Sequence, residues 1–202
     1  MSVNEMALID KMYWLERHTT SDMQGHLETL LELARGRDLV VELGVRHGCS
    51  TIALLAGRPR QMISVDIMPS SDRIMSIGQA ARDAGVRWIY RQGDSLLIDL
   101  PDGIDLLMID TLHTHDQLVG ELERHAPRVR PGGAIVCHDT VTFGAYDEPI
   151  YAHASPLLRL GEPSGYFGLM RAITKMIECC PDWSIESHYD HCNGLTVIRR
   201  SS

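Results

Sequence analysis

The pattern of apolar and polar positions changes abruptly near residue 38. Residues 3–18 and 22–35 carry apolar side chains at the 3.6-residue spacing of amphipathic helices. The run from Leu39 to Leu43 is short and continuously apolar, which is typical of a buried strand in a parallel sheet. The sequence therefore predicts a helical extension over residues 1–37 and a folded domain over residues 38–202.

Short apolar runs then alternate with helical patterns. Strands are predicted at 39–43, 62–66, 87–91, 104–110 and 134–139, with helices at 72–83 and 115–125 and a turn at 131–133. This alternation predicts an α/β fold with a doubly wound, mostly parallel, Rossmann-like sheet covered by helices on both faces.

The end of the chain departs from that alternation. A helix is predicted from Gly168 to Cys179, and it is followed by strands at 183–189 and 195–199. The dipeptide Asn193-Gly194 between these strands is a strong hairpin signal. The sheet is therefore expected to have seven strands and to end in an antiparallel pair.

A long segment at residues 141–165 is rich in glycine, proline and aromatic residues, and it predicts an active-site loop. Its side chains Phe143, Tyr146, Tyr151 and His153 would form an apolar wall over an acceptor molecule. A purely structural loop or a dimer contact is the alternative. By contrast, the charges of the 115–125 helix, Glu121 among them, are expected to face solvent.

Composition narrows the classes of partner. The chain has 202 residues and a formal net charge of -8, which argues against nucleic acid as a partner, because phosphate binding needs an excess of Lys and Arg. It has no apolar run long enough to span a membrane. Five cysteines without a CxxC pair indicate free thiols in a reducing, cytoplasmic compartment. A small-molecule substrate is expected, and the leading helices are a candidate surface for a homodimer.

The first candidate site follows the first strand, where the sequence reads Val41-Glu42-Leu43-Gly44-Val45-Arg46-His47-Gly48-Cys49-Ser50-Thr51. Gly44 permits a tight turn and a close approach to the backbone, while Gly48 and Ser50 allow the next helix to start close to the sheet. This spacing is looser than the GxGxxG of dinucleotide-binding proteins. Glu42, Gly44, Gly48 and Ser50 are thus candidate cofactor-binding residues.

Two further polar positions follow the next strands. Asp66 ends the second strand, where a carboxylate can accept hydrogen bonds from both hydroxyls of a ribose. Asp94 and Ser95, in Gly93-Asp94-Ser95, follow the third strand and could reach an adenine edge, or they could simply form a turn or cap a helix.

These features together resemble the class I S-adenosylmethionine-dependent methyltransferases. The resemblance rests on VELGVRHGCST, on ISVD ending at Asp66, on the GDS tripeptide and on the terminal hairpin, and it runs in order from Leu39 to Arg199. It implies that the glycine-rich turn holds the methionine part of the cofactor and that Asp66 binds its ribose.

A narrower resemblance lies at residues 109–140, IDTLHTHDQLVGELERHAPRVRPGGAIVCHDT. It is similar to the small O-methyltransferases related to cephalosporin hydroxylase-like proteins and macrolide-sugar O-methyltransferases. There, a strand ends in Asp, a His follows, and a later strand ends in His-Asp or in two acids. The matching residues here are Asp110, His113, His138 and Asp139.

The chemistry of these four side chains also follows from their types. Asp110 and Asp139 end neighbouring strands at the edge where open parallel sheets bind ligands, and two carboxylates suit a Mg²⁺ ion. Such an ion would lower the pKa of a substrate hydroxyl. His113 or His138 could take the hydroxyl proton, since imidazole titrates near neutral pH. Alternatively, His138 is a buried strand residue and His113 caps a helix or stacks on the cofactor.

Two positions depart from the relatives. Catechol O-methyltransferase-like enzymes have Asn after the second metal-binding aspartate, where this chain has Thr140. Antibiotic-modifying relatives have an acid before that aspartate, where this chain has His138. Two alternatives therefore stay open: Asp110 and Asp139 bind a metal ion, or Asp110 acts directly as the base or orients the substrate.

The sequence thus predicts an S-adenosylmethionine-dependent O-methyltransferase that acts on a hydroxyl of a small molecule or sugar. Two alternatives stay open. One is an NAD-dependent oxidoreductase, which shares the strand, the glycine turn and the ribose-binding acid. The other is an inactive, cofactor-binding partner subunit.

Overall fold

The computed structural model describes residues 6–148 and 167–202 of the chain. The helices of these residues are α1 (Leu8–Arg17), α2 (Leu27–Ala34), α3 (Cys49–Ala56), α4 (Asp72–Asp83), α5 (His115–His125) and α6 (Gly168–Cys179), with 3-10 turns at Gln24–His26 and Ala126–Arg128. The strands are β1 (Leu39–Leu43), β2 (Gln61–Asp66), β3 (Arg87–Gln92), β4 (Ile104–Ile109), β5 (Val129–His138), β6 (Trp183–Tyr189) and β7 (Leu195–Arg200).

The seven strands form one sheet in the order β3-β2-β1-β4-β5-β7-β6. Strands β1 to β5 pair in parallel, whereas β7 runs antiparallel to both β5 and β6. The chain proceeds outward from β1 to β3 and then returns to β4 on the other side of β1. This reversal leaves a crevice at the carboxyl ends of β1 and β4, which is where open α/β sheets bind their ligands.

Alternate side chains along the strands supply two apolar layers, one on each face. On one face, Val40 and Met108 pack with residues of α1 to α4. On the other face, Val41 and Ile109 pack with residues of α5 and α6. The doubly wound, mostly parallel sheet and its antiparallel end are confirmed.

The predicted turn at residues 131–133 was wrong. The segment belongs to β5, whose register against β4 shifts between Ile104 and Leu106. Gly132 has a φ of +76° there, so the glycines accommodate an irregularity within the strand rather than a turn before it. At the other end of the sheet, Asn193 and Gly194 both have positive φ, as the hairpin signal requires.

None of the helices in the described part of the chain is long and apolar enough to cross a membrane.

Candidate active site

The glycine-rich turn connects three strand ends. Gly44 has a φ of +87°, and its N–H donates to the carbonyl of Val65 at 2.9 Å. A Cβ atom on Gly44 would lie 1.8 Å from the carbonyl oxygen of Asp110. Only glycine therefore fits here, because it both adopts the left-handed conformation and leaves room for the backbone that follows β4.

Gly48 has a related role at the start of α3. Its φ is +81°, and a Cβ atom there would lie 2.5 Å from the Cδ1 atom of Ile77 on α4. Its predicted part in cofactor binding stays a prediction, since the contact that the structure shows is between helices.

Asp66 lies against the same turn. Its Oδ2 atom accepts hydrogen bonds from the backbone N–H groups of Val45 and Arg46 at 2.7 and 2.8 Å, and its Oδ1 atom accepts from Met68 N–H at 2.8 Å. The carboxylate is thus held rigidly beside the glycine turn at the carboxyl edge of the sheet. Ribose binding by Asp66 stays a prediction that this position allows.

Glu42 is fully buried, beneath the turn. Its carboxylate accepts hydrogen bonds from the hydroxyls of Ser50, Thr51 and Ser64 at 2.7, 2.8 and 2.7 Å. Burial raises the pKa of Glu42 to about 7, and the three hydroxyls oppose part of that rise. Glu42 and Ser50 therefore connect β1, α3 and β2 inside the protein, and their predicted contact with a cofactor is untested.

A second network of buried hydrogen bonds surrounds Glu121 and includes Ser95, which lies after β3. The carboxylate of Glu121 accepts hydrogen bonds from Ser95 Oγ at 2.5 Å, Thr111 Oγ1 at 2.8 Å and Gln117 Nε2 at 2.8 Å. The expectation that Glu121 faces solvent was wrong, since this side chain is fully buried, and burial raises its pKa to about 7. Its signal in the sequence was weak, because Glu121 shares its helix with several exposed charges.

Ser95 and Asp94 both have partners in the protein. Ser95 is buried in the Glu121 network, and Asp94 Oδ1 accepts a hydrogen bond from Leu96 N–H at 2.8 Å within a turn. These contacts match the alternative interpretation of the two residues. Their predicted role at an adenine edge stays a prediction.

The four residues singled out at the carboxyl ends of β4 and β5 lie together. The Nε2 atom of His113 is 3.2 Å from Asp110 Oδ1 and 2.9 Å from Asp139 Oδ2. The Nδ1 atom of His138 is 3.3 Å from the same Asp110 oxygen and 3.2 Å from the same Asp139 oxygen. Two imidazole nitrogens and two carboxylate oxygens thus face one another, and we call these four side chains the Asp-His cluster.

Each imidazole also has a partner on its outer side. His113 Nδ1 is 2.8 Å from Glu148 Oε2, and its ring stacks on Phe143 with 5.1 Å between ring centres. His138 Nε2 is 3.0 Å from the carbonyl oxygen of Cys192 and 3.3 Å from that of Asp22. The outer contacts fix the orientation of both rings.

Charge within the Asp-His cluster shifts the pKa of every member. Burial lowers the pKa of both imidazoles, but the two carboxylates outweigh it and raise that of His113 to about 10 and that of His138 to about 11. Burial raises the pKa of Asp110 and Asp139, but the two imidazoles outweigh it, so that of Asp110 falls to about 2 and that of Asp139 falls strongly too. Four groups with shifted pKa values beside a crevice are typical of a functional site.

The cluster also has the features of a cation site. One ligand atom each from Asp110, His113 and Asp139 lie within 4.8 Å of one another. Asp139 has a φ of +59°, which is uncommon for a residue other than glycine, and its Oδ1 atom is buried without a hydrogen-bond partner among the described residues. Thr140 points elsewhere, since its buried hydroxyl accepts a hydrogen bond from Thr196 at 2.9 Å.

Sequence reasoning missed Glu148 and the segment around Asp22. Glu148 lies in the predicted active-site loop among residues chosen only for their aromatic rings, and Asp22 lies 116 residues before His138. Of the predicted apolar wall, Phe143 stacks on His113, whereas Tyr146 is 66% exposed. Tyr151 and His153 lie outside the described residues.

Comparison with known proteins supports the interpretation of the fold. Residues 41–140 match the family model described as a methyltransferase domain. None of the curated proteins matches the chain.

Solved structures share the whole architecture at low sequence identity. A protein from Corynebacterium glutamicum is 16% identical, with a TM-score of 0.65 over 98% of this chain and 92% of that one. An O-methyltransferase from Bacillus cereus in complex with SAH is 18% identical, with a TM-score of 0.58 over 98% of this chain and 90% of that one. The N-methyltransferase NodS from Bradyrhizobium japonicum with S-adenosyl-L-homocysteine is 17% identical, with a TM-score of 0.59 over 96% and 99%. Residues 41–140 thus match a methyltransferase domain, and the chain has the Rossmann-like fold that these solved methyltransferases share.

Proposed function

We propose that this chain transfers the methyl group of S-adenosylmethionine to a hydroxyl of a small molecule or sugar. The observation that carries the proposal is the place of the Asp-His cluster. It lies at the carboxyl ends of β4 and β5, and the backbone of its member Asp110 touches the glycine turn of the methyltransferase domain. The proposed catalytic groups and the proposed cofactor turn would therefore share one crevice.

The glycine turn and Asp66 would hold the cofactor. Gly44 gives a narrow turn at the end of β1, and Asp66 is fixed beside it by the N–H groups of Val45 and Arg46. A carboxylate oxygen has room for more than one hydrogen bond, so Asp66 can accept from ribose hydroxyls while it keeps its backbone partners. Binding of S-adenosylhomocysteine by the fold's relatives supports this assignment.

The protein must meet three requirements for methyl transfer. The acceptor oxygen must lie in line with the sulfonium, it must lose its proton, and water must be kept away. In the transfer, a bond forms between that oxygen and the methyl carbon, and the bond from carbon to sulfur breaks with its electron pair left on sulfur. The proton of the hydroxyl must go to a base.

His113 is better placed than His138 to be that base. Its side chain is 18% exposed, whereas that of His138 is 1% exposed with its outer nitrogen on backbone carbonyls. Glu148 holds Nδ1 of His113, so Nε2 faces Asp110 and Asp139, beside which the acceptor hydroxyl would bind. A divalent cation on Asp110 and Asp139 would lower the pKa of the acceptor hydroxyl, and its charge would oppose a proton on His113.

The cluster favours a hydroxyl over an amine as the acceptor. Carboxylates with a cation bind and acidify an alcohol oxygen, whereas an amine needs no such help to become a nucleophile. The stacked ring of Phe143 adds an apolar surface beside His113 for a sugar or an aromatic acceptor. The methyltransferase-domain match disfavours the NAD-dependent oxidoreductase.

A coupled assay for S-adenosylhomocysteine tests the proposal. Purified protein would be incubated with S-adenosylmethionine, a divalent cation and a panel of glycosides, phenols and amines. We expect product with a hydroxyl acceptor and none with the matched amine. Methylation of amines alone would contradict O-methyl transfer. Product from no acceptor, despite cofactor binding, would favour the inactive partner subunit.

A further inference from the structure

The outer nitrogen of His138 carries a proton. Nε2 lies 3.0 Å from the carbonyl oxygen of Cys192 and 3.3 Å from that of Asp22, and carbonyl oxygens only accept hydrogen bonds. In a neutral imidazole, the inner nitrogen Nδ1 then presents its lone pair to the Asp-His cluster. An outer hydrogen bond that fixes the tautomer in this way is the usual arrangement of a metal-binding histidine.

The inner nitrogen completes a compact set of donor atoms. Nδ1 of His138 lies 3.3 Å from Asp110 Oδ1 and 3.2 Å from Asp139 Oδ2. Atoms bonded to one ion at about 2.1 Å in octahedral geometry lie about 3 Å apart, so the spacing suits a common ion. Independently, the second carboxylate oxygen of Asp139 is buried without a hydrogen-bond partner among the described residues, on a side chain only 6% exposed.

We propose that His138 Nδ1 is the third protein ligand of the cation, beside Asp110 and Asp139, and that the site selects a transition-metal ion such as Co²⁺, Zn²⁺ or Fe²⁺ over Mg²⁺. Imidazole nitrogen suits the first-row transition ions, whereas Mg²⁺ takes oxygen ligands. The role of the ion in catalysis rests on the proposed function, but its binding does not.

His113 differs from His138 in ways that assign the two rings to different tasks. His113 precedes α5 on a connecting segment, is partly exposed and stacks on Phe143. His138 ends β5, is almost wholly buried and pairs with Leu195 across the sheet. A rigid, buried nitrogen suits an ion, and a partly exposed one suits a substrate.

Titration of the wild-type protein with CoCl₂ and MgCl₂ is the primary test. Isothermal titration calorimetry should give a Co²⁺ affinity at least 100-fold above that for Mg²⁺, together with visible Co²⁺ absorption bands that differ from those of the aqueous ion. Equal affinities, or tighter Mg²⁺, would overturn the proposal.

Two matched variants test the ligand assignment. His138→Gln should weaken Co²⁺ at least tenfold and change the affinity for Mg²⁺ less than threefold, while His113→Gln should keep Co²⁺ within threefold. Loss of Co²⁺ in His113→Gln and not in His138→Gln would contradict the assignment. If His138→Gln does not fold, pulsed electron paramagnetic resonance of Cu²⁺-loaded His113→Gln decides, since it should show coupling to an imidazole nitrogen and its absence would exclude His138.

S-adenosylhomocysteine binding, measured without metal in the same samples, separates this inference from the proposed function. Tight cofactor binding with no transition-metal preference would contradict only the inference about the ion. A transition-metal preference without cofactor binding would contradict the proposed function but not the ion site.

Discussion

The carbonyl oxygen of Asp110 occupies the space where a side chain on Gly44 would begin, 1.8 Å from the position of its Cβ atom. Gly44, which turns the chain after β1, and Asp110, whose side chain belongs to the Asp-His cluster, are therefore in direct backbone contact. This contact brings the proposed cofactor turn next to Asp110, the proposed catalytic residue, as a shared crevice for methyl donor and acceptor requires.

Gly44→Ala should cost the protein more stability than an ordinary glycine replacement. Both the left-handed φ of +87° and the Asp110 carbonyl oppose a Cβ atom. We expect the free energy of unfolding to fall by more than about 2 kcal/mol, as measured by urea denaturation.

Gly85→Ala is the matched control for that change. Gly85 has a φ of +77°, but nothing lies within 4 Å of the point that a Cβ atom would occupy. Only the backbone strain remains, which is about 1 kcal/mol. Equal losses in the two variants would mean that the Gly44–Asp110 contact relaxes at little cost.

Glu42→Gln should make stability less dependent on pH. The folded pKa of Glu42 is about 7, above the ordinary 4.5, so the folded chain holds an extra proton between these values. Its stabilising effect is present below about pH 4.5 and is lost as the pH rises through 7. At about 1.4 kcal/mol per pKa unit, the loss is up to roughly 3 kcal/mol.

Thermal or urea denaturation from pH 5 to pH 8 measures this effect. The difference in unfolding free energy between Glu42→Gln and wild type should move in favour of the variant as the pH rises. Glu121 has the same raised pKa and is unchanged in both proteins, so the difference isolates Glu42. A constant difference across this range would show that Glu42 ionises normally in the folded protein.

The sequence predicted the sheet better than it predicted the polar interior. Short apolar runs and the Asn193-Gly194 hairpin signal located all seven strands, because burial of the strands against the helices decides the apolar pattern. The internal carboxylates could not be recognised in this way. Glu42 and Glu121 are buried because hydroxyl donors from other elements surround them, and that pairing depends on tertiary structure.

The candidate site likewise contains residues that the sequence could predict and residues that it could not. Asp110, His113, His138 and Asp139 were predictable because residues at the ends of neighbouring parallel strands meet at one edge. Glu148 was not, since a loop has no period from which its contact with His113 could be read. Asp22 contributes only a backbone carbonyl, for which no side-chain signal exists.

Asp110→Asn should separate binding from turnover. The amide keeps the size of the side chain and leaves the backbone contact with Gly44, but it loses the charge that faces both imidazoles. We expect S-adenosylhomocysteine affinity to stay within threefold and kcat to fall by about 10³-fold, similar to the loss of a major electrostatic group. The exposed Asp99→Asn is the control and should match wild type. Full turnover in Asp110→Asn would remove Asp110 from the mechanism.

Glu148→Ala should slow methyl transfer by altering His113. Glu148 Oε2 holds His113 Nδ1 at 2.8 Å, and its charge favours the protonated ring. We expect kcat to fall about tenfold to 100-fold with an unchanged KM for S-adenosylmethionine, and the acid limb of the pH profile to move to lower pH. Glu148→Gln should recover part of kcat, because its amide oxygen still accepts the hydrogen bond. A shift in KM alone, with an unmoved pH profile, would indicate a structural role.

Cofactor binding is the most direct test of the central claim, that the Gly44 turn and Asp66 form a site for S-adenosylmethionine. Isothermal titration calorimetry with S-adenosylhomocysteine and with NAD⁺ should show micromolar binding of the first and none of the second. Asp66→Ala should weaken the first at least tenfold, and the exposed Asp99→Ala should not. Binding of NAD⁺ in place of S-adenosylhomocysteine, or an affinity that Asp66→Ala leaves unchanged, would contradict the account.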